Sequence, residues 1–460
     1  MKSYELKPTH EILIELFQKD PIGRNSDVLS FAELLNTVEG NCSISLDGSW
    51  GSGKTFFVKQ TKMFLDANND VLCPFSEEER HSIVGAWARL HRGAEPNFKP
   101  QVTIYYDAWE NDNDTDPILS LIYSIVREFG EQVSLDLETK ASFFHTASAL
   151  LEIFTGKNWT SIAESLRSED PLDGIRMHKD IEIKIKEFLD SLLSERGERL
   201  VIFIDELDRC KPSYAVQLLE RIKHYFTNDR ITFVFSINSN ELQHTIKRYY
   251  GNEFDASRYL DRFFDLPVTL PAIQNAHFLR SIRFDKNMCV YNMMCGAVIE
   301  EYNLTLREIT HYIKLAKIAT YEPIHDPSYD FAFQKEFGFC LKYIVPIMLG
   351  LKIKNRSAYD RFIKGEDGSP LLVFPAYLRE EFFDELLSRT ETYYLDDATK
   401  TPVTIESKLN EVYKALFSTS FTPRNEDVIV IGRYRFKKET RERLLRVVSL
   451  FSSYTNYNID

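Results

Sequence analysis

Apolar positions along this chain fall into blocks that alternate between a helical period and strand-like runs. Ile12, Leu13, Leu16 and Phe17 share one helix face, and a turn at Asp20-Pro21-Ile22-Gly23 leads to a second helix through Leu29, Leu34 and Leu35. This approach is expected to bring Pro21 and Ile22 close to the loop that follows Leu46. A short strand ends at Leu46-Asp47, and a helix follows from Thr55 to Leu65. Asn68 to Lys99 is polar and reads as an insertion carrying one short packed helix at Ile83–Ala88. Val102–Tyr106 is β-branched and aromatic and predicts a strand, with a helix from Pro117 through Ile118, Leu119, Ile122, Ile125 and Val126. Leu135 to Glu169 has helical spacing with loose boundaries, and Ile181, Ile185, Phe188 and Leu192 make a clean helix stopped at Gly197. The five apolar residues Leu200–Ile204 predict a strand covered on both faces. After it come a helix opened by Pro212 (Val216, Leu219, Ile222, Phe226) and a further strand, Ile231–Ile237. Strands alternating with helices predict an α/β fold around a parallel sheet. Beyond Ile324 the chain reads as mostly helical and rich in aromatics (Tyr377, Phe382, Phe383, Tyr393, Tyr394), with a late strand at Val428–Ile431 before a basic helix, Arg433–Arg446.

The first strand and helix enclose Gly48-Ser49-Trp50-Gly51-Ser52-Gly53-Lys54-Thr55, a complete G-x-x-x-x-G-K-[ST] loop. In such a loop the glycines let backbone N–H groups turn inward around phosphate oxygens. Lys54 reaches the β/γ-phosphates, and the Thr55 hydroxyl is placed to ligate Mg²⁺. The following helix aims the positive end of its dipole at the same anion. The Leu200–Ile204 strand delivers Asp205 and Glu206 at its carboxyl end, where α/β sheets hold ligands. Asp205 is expected in the Mg²⁺ shell and Glu206 as the base that polarises the attacking water. A strand between the lysine loop and the acidic strand, with a glutamate directly after the metal aspartate, marks the additional-strand branch of P-loop ATPases rather than kinases or GTPases.

A length of 460 residues with 43% hydrophobic content supports two or three domains. The net charge of −13 argues against broad attraction to nucleic acid. The basic stretch Lys437, Lys438, Arg441, Arg443, Arg446 reads as a solvated helix face before it reads as a nucleic-acid contact. Six scattered cysteines form no C-x-x-C pair and no zinc spacing. No secretory leader is visible at the start, and the most apolar windows, Phe143–Phe154 and Phe339–Leu351, are shorter than the roughly 20 residues a spanning helix needs. The expected location is the cytoplasm, without a membrane span.

Several residues have two readings. Asn238, just past the Ile231–Ile237 strand, sits where a polar group senses the γ-phosphate, or else caps the turn. Arg258 and Arg262 are candidates for arginine fingers reaching a neighbouring subunit, against a surface ion pair with Asp261 or Asp265. Arg307 opens a helix and is a candidate phosphate contact from the same chain. Asp208-Arg209 reads as a structural ion pair that fixes its loop before it reads as a relay to a partner subunit, Trp109 and Asp107 as packing and hydrogen-bonding groups, and Trp50 as an anchor under the phosphate loop or a base-stacking ring.

These motifs, taken in order, resemble the KAP family of P-loop NTPases. The loop Leu46–Thr55 is similar to that family's G-x-W-G-x-G-K-T, and Tyr105-Tyr106-Asp107-Ala108-Trp109 to its F-N-A-W. Phe203–Pro212 is similar to D-D-L-D-R-C-x-P and Tyr259-Leu260-Asp261-Arg262 to Y-L-E-K, so the resemblance covers about residues 12–320. Glu206 stands where the family often has aspartate. The segment Arg127–Asp180, where the family commonly carries transmembrane helices, is too polar to span. The resemblance implies an NTPase core at 1–275 with a helical insert at about 127–195, a helical lid at 276–323 and a mostly helical module at 324–460. It further implies ATP hydrolysis with Mg²⁺ driving a conformational or assembly switch in bacterial antiphage defence, with a homo-oligomer or an effector protein as partner. A nucleotide-dependent scaffold with incidental turnover and a nucleic-acid-stimulated ATPase are the alternatives.

Overall fold

The structure, a computed structural model, describes residues 7–132, 173–193, 196–325, 335–377, 380–387, 404–418 and 428–449. Leu135–Glu169, most of the insert, Tyr393 and Tyr394 lie outside the described residues. The chain divides into two compact units, Leu6–Gln274 and Asn275–Asp460.

The first unit is built on a five-stranded parallel sheet of β1 (Cys42–Asp47), β2 (Gln101–Asp107), β3 (Arg199–Asp205), β4 (Ile231–Ile237) and β5 (Leu266–Thr269). Its spatial order is β2-β3-β4-β1-β5. β4 therefore lies between the strand that feeds the phosphate loop and the strand that ends in Asp205, which is the additional-strand arrangement, while β2, the strand that stands between them in the sequence, lies at the sheet edge beyond β3. The register sets Asp47 beside Ile237 and Asp205 beside Ser236, so the carboxyl ends of these strands form one rim.

The apolar runs of β3 and β4 serve two cores at once, because successive side chains leave a strand on opposite faces. Val201, Phe203 and Val234 join Ile44 and Leu46 under the helices α1 (His10–Lys19), α2 (Asn25–Thr37), α3 (Lys54–Ala67) and α4 (Glu77–Leu90). Leu200, Ile202, Ile204, Phe233 and Phe235 face α5 (Pro117–Gln132), α6 (Asp173–Leu193), α7 (Pro212–Tyr225) and α8 (Ser239–Tyr250). A short α9 (Ala256–Leu260) precedes β5.

Two elements depart from the sequence reading. The polar stretch after Asn68 contains a full 14-residue helix, α4, opened by a capping box between Ser76 and Glu79. β5 was not expected, because Pro267 interrupts it. It survives as an edge strand paired only with β1, where a missing N–H costs least.

The second unit is mostly helical: α10 (Asn275–Ser281), α11 (Val290–Glu301), α12 (Leu306–His325), α13 (Lys335–Phe339), α14 (Val345–Lys354), α15 (Arg356–Ile363), α16 (Glu380–Leu387), α17 (Ile405–Phe417) and α18 (Lys438–Ser449). The apolar window near Phe339 is a buried helix that passes through a π-helical turn, Cys340–Ile344, into α14. Gly350 packs α14 against α11 so closely that a Cβ there would lie 2.4 Å from Val298. The expected helix Arg433–Arg446 begins later. Tyr434–Phe436 is instead strand β7, paired antiparallel with β6 (Ile429–Ile431) through a turn at Gly432, whose φ is +56°. No described helix is long and apolar enough to cross a membrane.

Candidate functional site

The phosphate loop runs from the end of β1 into α3, and its shape depends on two glycines with positive φ, Gly51 at +79° and Gly53 at +93°. L side chains rarely adopt that conformation. Gly48 N–H is bonded to Ile237 O at 3.0 Å, which ties the loop to the end of β4. A Cβ on Gly48 would sit 2.9 Å from Ser52 Oγ and 3.4 Å from Lys54 Cγ, so its bare backbone is what leaves the cradle open. Lys54 is buried, and its Nζ donates to Gly48 O at 2.5 Å and Ser49 O at 3.3 Å. Burial lowers the Lys54 pKa, while Asp208, Asp205, Glu206 and Asp47 act on it in the opposite direction.

Asp205 is 1% exposed at the end of β3. Its Oδ2 accepts from the Tyr105 hydroxyl at 3.0 Å and its Oδ1 from the Glu206 N–H at 3.0 Å. The Tyr105 phenol is pushed well above its ordinary pKa by burial and by Asp205, so it stays a donor. Glu206 takes a left-handed backbone, φ +59°, which is uncommon outside glycine and is held by the tight turn Leu207–Arg209. Burial, then the neighbouring Asp205 charge, raises the Glu206 carboxyl to about 7, and Arg209 works against that rise.

Asp208 and Arg209 do not pair with each other as the sequence suggests. Arg209 Nε meets Glu206 Oε2 at 2.7 Å, and Asp208 Oδ2 accepts from the Trp50 indole N–H at 2.5 Å. Burial is also the main cause that raises the Asp208 pKa. Trp50 is 43% exposed, so it is not an anchor packed under the loop. Its ring and that of Trp109 instead flank the Arg209 guanidinium, at 5.8 and 5.4 Å. Asp107 holds the start of the Trp109 turn by accepting from the N–H groups of Trp109 and Glu110, at 3.1 and 3.0 Å.

Sequence reasoning missed Arg24. It is 2% exposed, donates to the loop carbonyl Ser52 O at 3.2 Å and also bonds Pro271 O. Burial brings its pKa down to about 10. Pro21 and Ile22, the residues expected near the loop, are represented there by this neighbour. An arginine directly after a turn carries no sign in the sequence that it will be buried against the loop.

Asn238 caps α8, its Oδ1 accepting from Glu241 N–H at 3.4 Å. Arg258 and Arg262 are exposed, and neither guanidinium has an ion-pair partner among the described residues, Asp261 and Asp265 included. Arg307 belongs to the second unit, in the first turn of α12.

Two buried oxygens, Ser52 Oγ and Asp208 Oδ1, have no hydrogen-bond partner among the described residues. Polar atoms are seldom buried unmet, and these two lie in the phosphate loop and the acidic turn, where phosphate oxygens would accept from the Ser52 hydroxyl and water on a hydrated cation would donate to Asp208. The Thr55 hydroxyl and the Asp205 carboxylate are hard oxygen donors. That sparse protein set suits Mg²⁺, which keeps waters and substrate oxygens as its other ligands. Among the described residues no cluster of three or more His, Cys, Asp or Glu side chains suits a metal. The residues therefore fit a Mg²⁺-bound nucleoside triphosphate.

Comparison with known proteins gives a match of residues 24–288 to the KAP family P-loop domain. "Uncharacterized protein MJ0182" of Methanocaldococcus jannaschii is 34% identical over 80 residues, which are 16% of this chain and 39% of that protein. Among solved structures, one titled "Structure of Drosophila ORC bound to DNA" aligns with 96% of this chain and 99% of its own at 11% identity and a TM-score of 0.26.

Proposed function

This chain belongs to the KAP family of P-loop domains, and from that membership we propose that it binds ATP with Mg²⁺ and hydrolyses it, using the turnover to switch conformation or assembly. The observation that carries this reading is the shared rim of the sheet. Lys54 follows β1, Asp205 and Glu206 end β3, and β4 between them presents Asn238. The lysine is close enough to feel the charges of Asp205, Glu206 and Asp208.

The residues divide the work. Backbone N–H groups of the loop between Gly48 and Thr55 and the Lys54 ammonium bind the phosphates, and Gly51 and Gly53 allow the loop to close around them. Mg²⁺, held by Thr55 and Asp205, supplies charge neutralisation on the phosphate oxygens. Glu206 takes the proton of the attacking water, and its position beside Asp205 sets it against the same substrate. Asn238 contacts the terminal phosphate from the end of β4. Ser49, Ser52 and Trp50 line the cradle, with Trp50 also tied to Asp208.

Arg262, exposed and without an ion-pair partner among the described residues, is assigned to the nucleotide of a neighbouring copy as an arginine finger, with Arg258 beside it. A role in antiphage defence is what the family resemblance implies for this switch.

The test is a pair of full-length variants. Lys54→Ala is expected to lose the ATP equivalent bound at the phosphate loop, read in calorimetry as one site fewer than in the unaltered chain. Glu206→Gln is expected to bind ATP and lose turnover by about 10²-fold or more. Equal affinity of Lys54→Ala and the unaltered chain would reject the loop as the site. Full turnover in Glu206→Gln would reject the base and leave ATP as a bound ligand of a scaffold.

A further inference from the structure

The second unit carries a cavity of about 520 Å³ that the phosphate-loop site does not use. Two elements build it. α12 contributes Arg307, His311 and Leu315 at four-residue intervals, which places all three on one helix face. The end of α14 and the start of α15 contribute Lys352, Ile353 and Arg356.

Two arginines, a lysine and a histidine thus line one concave surface from separate helices, with Arg307, His311 and Arg356 exposed to solvent. Neither Arg307 nor His311 has a hydrogen-bond or ion-pair partner among the described residues. Lys352 donates to a carbonyl, Val448 O, at 3.0 Å. Arg356 stacks over Tyr359 at 5.1 Å and meets one carboxylate, Asp360, at 3.3 Å. The single acid in the lining, Glu308, is committed elsewhere. It accepts from the Thr305 N–H at 2.7 Å in the cap of α12 and pairs with Lys354 at 3.5 Å. Arg307, Lys352 and Arg356 face only the carboxylates of Glu308 and Asp360, so an anion in the cavity gains a favourable interaction.

We propose that this cavity is a second anion site, whose ligand is a small phosphate-bearing molecule of nucleotide size. The phosphate class follows from arginine, which matches phosphate geometry with two parallel N–H donors. The size follows from the volume, which lies in the range of small-molecule sites, and from Leu315 and Ile353, which give an apolar wall to the uncharged part of the ligand. The concave form and the chain's net charge of −13 disfavour an extended nucleic-acid backbone. The site is independent of the hydrolytic reading above, and its test silences the phosphate loop first.

Pyrophosphate and, separately, ATP are titrated calorimetrically into the full-length Lys54→Ala chain. Binding of pyrophosphate at one equivalent is expected, falling about tenfold or more when Arg307→Ala or Arg356→Ala is added. Arg307→Lys, which keeps the charge but loses the two parallel donors, is expected to keep only part of the affinity. Glu308→Gln, which preserves the helix cap while removing the acid, is expected to tighten binding; far-ultraviolet circular dichroism and thermal melting show that each variant is folded. ATP binding with pyrophosphate identifies the ligand as a nucleotide, and pyrophosphate binding alone identifies a simpler phosphate ester. The proposal is overturned if Lys54→Ala by itself abolishes pyrophosphate binding, or if affinity is the same with and without Arg307. It is equally overturned if the Lys54→Ala chain binds a single-stranded oligonucleotide and not pyrophosphate.

Discussion

Replacing Arg209 with alanine tests how the general base is held. Arg209 Nε lies 2.7 Å from Glu206 Oε2, with the two side chains only 22% and 18% exposed. The guanidinium lies over the Trp50 and Trp109 rings, and its ion pair is with Glu206 rather than with a phosphate-binding group. A charge-assisted hydrogen bond of this kind contributes about 1.5–3 kcal/mol. Its loss lets Glu206, already in a strained left-handed backbone, sample other side-chain rotamers. That energy corresponds to a drop of about tenfold to a hundredfold in the fraction of Glu206 aimed at the water, and kcat is expected to fall by that factor.

The KM for ATP and the affinity for a fluorescent ATP analogue are expected to stay within about twofold, because no phosphate contact is removed. Arg209→Lys retains the charge but not the planar group that lies over the Trp50 and Trp109 rings, and an intermediate kcat is expected. Removing the cation also alters the emission of the two exposed tryptophans, which reports the seat independently of turnover. A kcat unchanged within twofold, or raised, would refute this account, as would an affinity loss that runs in parallel with kcat.

Arg262→Ala is expected to bind ATP and lose turnover, by up to about 10³-fold if the finger is supplied between copies. Mixing it with Glu206→Gln is expected to restore part of the activity, and a dead mixture together with turnover that is flat in protein concentration would assign Arg262 to the surface. Gly365→Ala is expected to destabilise the second unit by about 2 kcal/mol or more, read as a lower denaturation midpoint, because φ is +82° and a Cβ would lie 2.4 Å from Phe417 O. In the cap of α4, hydrogen bonds from His10 and then from Ser76 hold the Glu79 carboxyl down from 4.5 to about 2. Its folded value is depressed, so its contribution to stability is present above pH 4.5 and lost as pH falls toward 2. The difference in melting temperature between the native chain and Glu79→Gln should be constant near pH 6 and shrink over that window; a difference that persists at pH 2 would contradict it.

What the sequence determined by itself is local in origin. The phosphate loop is legible because one contiguous run of residues must turn backbone N–H groups toward an anion, and only glycines at fixed offsets permit it. The buried strands β3 and β4 are legible because a strand covered on both faces carries a mostly apolar run, broken inside β4 only by the small hydroxyl residues Thr232 and Ser236, and Pro212 marks the start of α7 because its ring suits the first turn. Even α4 carried its signal in Ser76 and Glu79, although the polarity around it masked the helix. Tertiary structure decided whatever depends on partners distant in the chain. Pro267 argues against a strand until the edge of the sheet beside β1 offers it a place that requires no N–H. Adjacent Asp208 and Arg209 look like a pair in sequence, yet the tight turn after β3 sends their side chains apart, one to Trp50 of the phosphate loop and the other back to Glu206. Arg24 becomes part of the loop's support only when α2 is laid against it, because a hydrogen bond to a carbonyl 28 residues away leaves no periodic trace in the chain.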